Sequence, residues 1–148
     1  MTHTELDLLE SSLGLSLPES YRRVLLEYLL PRDSDATELW LSDSPAELRE
    51  LNDGWRKAGR SPQLVVIGGD GGEESYVLDT RTPPYAVLAY SYETDELEPY
   101  AASFPEFVER QRHEYHSIER DRQRMAEAYA NKRWWQFWIR PYPPRGDV

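Results

Sequence analysis

Apolar positions recur along the chain with two periods, and each predicts a different element. Leu6, Leu9 and Leu13 stand at helical spacing and predict a short first helix ending near Gly14. In SLPESYRRVLLEYLL, Tyr21, Val24, Leu25, Tyr28 and Leu29 form a buried helical stripe. Ser16 and Glu19 have capping-box spacing there, Pro18 suits the first turn and Pro31 stops the helix. A third helix is predicted in SPAELRELNDGWRKAGR. Ser44 caps it, Pro45 sits in its first turn and Gly59 ends it at the latest, with Asn52-Asp53-Gly54 as an earlier breaking point. The period then shortens. QLVVIGGD, ESYVLDT and YAVLAYSY read as strands, ETDELEPYA as a turn with a fourth, edge-like strand, and Leu39-Trp40-Leu41 as a candidate short strand. Helical spacing returns in a long stretch from Ser103, where Ser103 and Glu106 repeat the capping-box spacing and Phe104, Phe107 and Val108 anchor the helix. Helices, then consecutive strands, then a helix predict an α+β fold: an antiparallel sheet of about four to six strands flanked by helices, with a C-terminal helical extension.

Between the first two strands, IGGDGGEESYVLDT carries four glycines in the five residues from Gly68 to Gly72. A phosphate-binding loop of the Walker type needs a lysine and a Ser/Thr leading into a helix. Here Glu73 and Glu74 follow, then a strand. A dinucleotide fingerprint needs a third glycine and a helix, and both are missing. Asp70, Glu73, Glu74 and Asp79 are oxygen ligands of the kind calcium takes, but the EF-hand spacing is absent. The favoured reading is a hairpin whose turn uses positive φ, with glycine also leaving room for a neighbouring backbone.

The chain has 148 residues and no cysteine, which suits one domain in a reducing compartment and excludes thiolate chemistry. MTHTELDLLE lacks the basic start and apolar core of a secretory leader, and no apolar run reaches the length of a membrane span. A cytoplasmic location is expected. The net charge is −10 and unevenly spread: residues 1–110 hold 9 Lys and Arg against 22 Asp and Glu, whereas residues 111–148 hold 8 against 5. An acidic body repels nucleic acid and speeds encounter with a basic partner; it also serves solubility alone. Neither nucleic acid nor membrane is expected as a partner.

Catalytic chemistry finds little support. His113 and His116, with Glu119, stand at spacings that could hold a metal, but the H-E-x-x-H pattern is absent and a surface helix explains them. Carboxylate pairs arise by chance among 27 acidic residues, and no serine sits in a G-x-S-x-G elbow. No enzyme activity, metal or cofactor is expected. Trp134, Trp135, Phe137 and Trp138, flanked by Arg133 and Arg140, either fold back on their own domain or meet a partner.

Three blocks together resemble a known family. LGLSLPESYRRVLLEYL resembles the opening of the SUKH superfamily (Smi/Knr type) at Leu15, Leu17, Pro18, Tyr21 and Leu25. IGGDGGEESYVLDT resembles its strand–glycine turn–strand at Gly69, Asp70, Gly71, Gly72, Tyr76, Leu78 and Asp79, with Glu73 and Glu74 where Gly and Asp are usual. SFPEFVERQ resembles its closing helix. The resemblance implies a Smi/Knr-type domain over residues 1–112; residues 113–148 lie beyond it and are expected to form a helical, aromatic and proline-rich extension packed on the same domain. It also implies a non-enzymatic, protein-binding role. Bacterial members are often immunity proteins against polymorphic toxins, many of them nucleases; eukaryotic relatives are scaffolding regulators, the alternative for this chain. No catalytic residues are known for the family.

On the immunity reading the partner is a cognate, basic toxin, bound by a monomer or weak homodimer, and carboxylates occupy the place of its negative substrate. Two windows carry the strongest acidic bias. The first holds Asp33, Asp35, Glu38, Asp43, Glu47, Glu50 and Asp53 against Arg49 alone; the second holds Glu93, Asp95, Glu96, Glu98, Glu106 and Glu109 with no basic residue. Trp40, Trp55, Tyr92 and Tyr100 are the candidate aromatic anchors beside them.

Overall fold

The computed structural model describes residues 1–27, 41–69 and 72–130. Helix α1 (His3–Leu13) opens with a reciprocal cap. The Thr2 hydroxyl accepts from the Glu5 amide, and the Glu5 carboxylate accepts from the Thr2 amide at 2.7 Å. The segment around His3 is therefore an ordered first turn. The helix ends at Gly14, which adopts φ 66°, and buries Leu6, Leu9 and Leu13 as their spacing predicts.

Helix α2 (Glu19–Glu27) starts two residues later than a Ser16 cap would place it. The Pro18 carbonyl accepts from the Tyr21 and Arg22 amides, so Pro18 stands just outside the helix. Glu10 fixes the link from α1: its carboxylate accepts from the Leu17 amide at 2.7 Å and from the Arg22 guanidinium at 2.9 Å. Tyr21, Val24 and Leu25 are buried. Tyr28, Leu29 and Pro31 lie outside the described residues.

Helix α3 (Pro45–Lys57) has Ser44 as its cap and Pro45 in its first turn, as read from the sequence. It runs unbroken through Asn52-Asp53-Gly54, the earlier of the two stopping points the sequence offered, and ends just before Gly59, the later one. An asparagine breaks helices when its side chain replaces local helical backbone bonds, and here two of its three bonds go to the distant Val66 backbone. The Asn52 amide nitrogen donates to the carbonyls of Leu48 at 2.8 Å and Val66 at 2.9 Å, and its oxygen accepts from the Val66 amide at 2.9 Å. The helix stops at Ala58, and Gly59 follows with φ 79°.

Strands β1 (Leu64–Gly69), β2 (Glu74–Asp79), β3 (Val87–Ser91) and β4 (Glu96–Ala101) form one antiparallel sheet in chain order. The fold is α+β, as the element order predicts. Of the candidate strand at 39–41, Leu39 and Trp40 lie outside the described residues. Leu41 is buried but not in a strand, and Ser42 beside it donates to the Ile67 carbonyl at 3.0 Å.

The glycine-rich segment is the connection of the β1–β2 hairpin. The reason for glycine at position 69 is close approach: a Cβ there would stand 2.6 Å from the Glu74 carbonyl oxygen. The expected positive φ is found at neither Gly69 nor Gly72; Gly14 and Gly59 are the described glycines with that conformation. Asp70 and Gly71 lie outside the described residues.

Strand alternation gives the sheet two apolar faces. On one, Trp55 of α3 packs with Val66, Val77 and Tyr90, bordered by Leu51, Leu64, Leu88 and Leu97. On the other, Tyr76 meets Phe107, at 5.1 Å between ring centroids, and Tyr100, at 4.9 Å. Phe107 belongs to helix α4 (Phe104–Ala130), and Phe104 reaches Tyr21 of α2 at 5.0 Å. The cap of α4 is a shifted version of the expected box. Ser103 accepts from the Glu106 amide at 3.2 Å, but the Glu106 carboxylate accepts from the Ala102 amide.

By compactness the chain divides into Met1–Gln111 and Arg112–Val148, the boundary falling within α4. In the second unit the described residues are helical and carry i,i+3 ion pairs, Arg122–Glu119 at 3.2 Å and Arg124–Asp121 at 3.5 Å. Such exposed pairs contribute little to stability. Trp134, Trp135, Phe137 and Trp138 lie outside the described residues. No described helix is long and apolar enough to cross a membrane.

Candidate functional site

The first unit presents a groove of about 480 Å³ between α3 and the sheet. Glu47, Glu50, Leu51, Gly54, Trp55 and Ala58 supply one side, a stripe with i, i+3, i+4 spacing along α3. Val66, Tyr90 and Tyr92 supply the other side, and Arg60 also lines the groove. The stripe follows from how α3 sits. Leu48, Asn52 and Trp55 are buried, and Asn52 binds the backbone of β1, so the adjoining strip of helix borders the groove.

Arg60 is held by its neighbours. Its guanidinium lies 5.2 Å from the Trp55 ring centroid and 4.8 Å from that of Tyr90, and it is ion-paired with Asp95. The Tyr90 hydroxyl donates to Asp95 at 2.5 Å. That hydrogen bond first, and Arg60 second, hold the Asp95 carboxyl below the ordinary aspartate value; the same bond raises the Tyr90 phenol. Tyr92 continues the row, its ring 5.0 Å from Tyr90 and its hydroxyl 2.8 Å from the Ser75 hydroxyl. It is 58% exposed, a large ring offered to solvent beside the groove. On the α3 side, Glu47 accepts from the Ser42 hydroxyl at 2.5 Å, which fixes its orientation. Glu50 is exposed, with no cationic partner among the described residues.

The two acidic windows meet here, but only in part. Glu47, Glu50 and Trp55 from the first window region and Tyr92 from the second line the same groove. Asp95 reaches its edge through Arg60, where its charge is already matched. Asp53 is exposed on α3 off the groove stripe, and Asp43 lies in the segment entering α3. Glu93 is exposed in the β3–β4 turn. Glu96 and Glu98 alternate with Leu97, which faces the Trp55 cluster, so they lie on the opposite face of the sheet. Tyr100 is on that opposite face too, against Tyr76 and Phe107, with Arg110 5.6 Å from its ring. Asp33, Asp35, Glu38 and Trp40 lie outside the described residues. Sequence reasoning passed over Gly54 and Arg60. The signal for Gly54 was its place in the stripe 47, 50, 51, 54, 55; Arg60 had no sequence signal, because its partners are 30 and 35 residues away.

His113 and His116 are exposed on α4. Among the described residues no group of three or more His, Cys, Asp or Glu is placed to hold a metal.

Residues 1–110 match the model of the SMI1 / KNR4 family (SUKH-1). The match takes in the α1–α2 opening, the glycine hairpin and the start of α4. No curated protein matches the chain at a significant level.

Proposed function

The chain belongs to the SMI1 / KNR4 family (SUKH-1), and from that premise we propose that it is an immunity protein. It binds a cognate bacterial toxin domain and blocks the toxin's active or substrate-binding face. The observation that carries this reading is the convergence of Glu47, Glu50, Trp55 and Tyr92 on one groove. A toxin that cuts nucleic acid must present a basic face to a polyanion. Carboxylates set beside the exposed Tyr92 ring complement such a face. The charges steer encounter, and the aromatics supply the buried contact that slows dissociation. The inhibition is steric and electrostatic and uses no chemistry by the inhibitor. It takes place in the cytoplasm, where a nuclease toxin meets its target.

The test is capture of the partner from the native host, followed by co-expression. The account expects a basic toxin domain in the captured material, and it expects co-expression of this chain to restore growth to cells that the toxin alone kills. Persistent killing despite co-expression overturns the immunity reading. Capture of a regulatory protein without toxic activity favours the scaffold class instead.

A further inference from the structure

Three features of the groove are unexplained by the fold. The first is Gly54. A glycine inside a helix costs stability relative to alanine and is kept when backbone conformation or crowding demands it. Neither applies: Gly54 does not have positive φ, and a Cβ built on it meets nothing within 4 Å. Its effect is to leave open space along the groove. The second is Trp55, only 7% exposed, whose indole N–H has no acceptor among the described residues. A buried donor without a partner is costly. The third is the pair Glu47 and Glu50, like charges one helical turn apart on the groove border, a mildly destabilising arrangement.

The groove is also electrically uneven. Glu47 and Glu50 border it in the first half of α3, and Arg60 stands beyond the end of that helix. Eight residues separate Glu50 from Ala58, roughly 12 Å of helix. Asp95 matches the Arg60 charge, and nothing described matches Glu50. The groove thus calls for a cation at one end and an apolar stem over Gly54 and Leu51, beside the Trp55 ring.

We propose that the groove receives the side chain of a single arginine from the partner. Its guanidinium sits against Glu47 and Glu50, and its methylenes cover Gly54 and the Trp55 ring edge that lines the groove. Arginine fits better than lysine, because a planar guanidinium pairs with two carboxylates and stacks on rings such as Tyr92. This deepens the toxin-binding reading and rests on it for the identity of the partner.

The test uses small probes on the isotope-labelled full chain. N-acetyl-arginine amide should shift the Gly54 amide and Trp55 indole resonances saturably, with a Kd on the order of 1–10 mM. N-acetyl-citrulline amide, the neutral isostere, should bind at least about tenfold more weakly, the loss expected for removing a paired charge. Gly54→Leu should abolish the shifts while leaving the unfolding midpoint unchanged or raised. Absence of a saturable shift at both positions in the unsubstituted chain overturns the proposal, as does equal binding of citrulline. The two readings fail separately. If the folded Gly54→Leu chain still rescues cells from the toxin, the toxin reading stands and the groove is rejected. If the probe binds but no rescue occurs, the groove stands and the immunity role is rejected.

Discussion

Asn52 is 2% exposed and makes three hydrogen bonds, two of them to the Val66 backbone. β1 is an outer strand, so half of its backbone groups have no strand partner. The Asn52 amide presents a donor and an acceptor at the spacing of a neighbouring strand and satisfies both groups of Val66. It thereby ties α3 to the sheet and sets the orientation of the groove stripe. Asn52→Ala should cost about 2–4 kcal/mol, because two buried backbone groups lose their partner along with the Leu48 bond. Urea unfolding measures this, and a loss under about 0.5 kcal/mol would show that water replaces the amide without penalty. The residue's role was hidden in the sequence. Asn-Asp-Gly is a turn signal by local chemistry, and the long-range bond that overrides it spans 14 positions. Gly69 shows the converse. The sequence offered both a positive-φ turn and room for a neighbouring backbone, and the second is what holds at this position: a backbone oxygen lies 2.6 Å from where a Cβ would stand.

At the scale of elements, periodic burial was legible. Leu6, Leu9 and Leu13, Tyr21, Val24 and Leu25, and Phe104, Phe107 and Val108 are buried at the spacings that predicted them. The three strong strand candidates and the fourth, edge-like one all form, and they pair in chain order. What the pattern left unread was how elements are joined, since joints depend on single polar groups. Glu10 is the instance between α1 and α2: its side chain is 12% exposed and serves both the Leu17 amide and Arg22. Glu10→Ala leaves the part-buried Leu17 amide without its acceptor and Arg22 without its close anion. A loss of about 1–3 kcal/mol is expected. Amide hydrogen exchange should place the added opening in α2, with the β2–β3 amides protected until global unfolding. Uniform loss of protection would contradict a local joint.

At the scale of the molecule, the excess of carboxylates predicts attraction to a basic partner, but charge counting cannot say which side is used. The sheet divides that question. Its α3 face gathers Glu47, Glu50, Trp55 and Tyr92 around a groove, while Glu96, Glu98 and Tyr100 belong to the other face. The second acidic window was contiguous in sequence and is split in space by strand alternation, a feature visible only once Leu97 is known to face Trp55. The most direct test of the account is the dissociation constant of the complex with the cognate toxin domain, measured for two folded charge reversals. Glu47→Lys/Glu50→Lys should weaken binding at least about tenfold, or ~1.4 kcal/mol, and Glu96→Lys/Glu98→Lys should change it by much less. A dissociation constant unmoved by reversal on the α3 face would contradict the claim that this face receives the toxin.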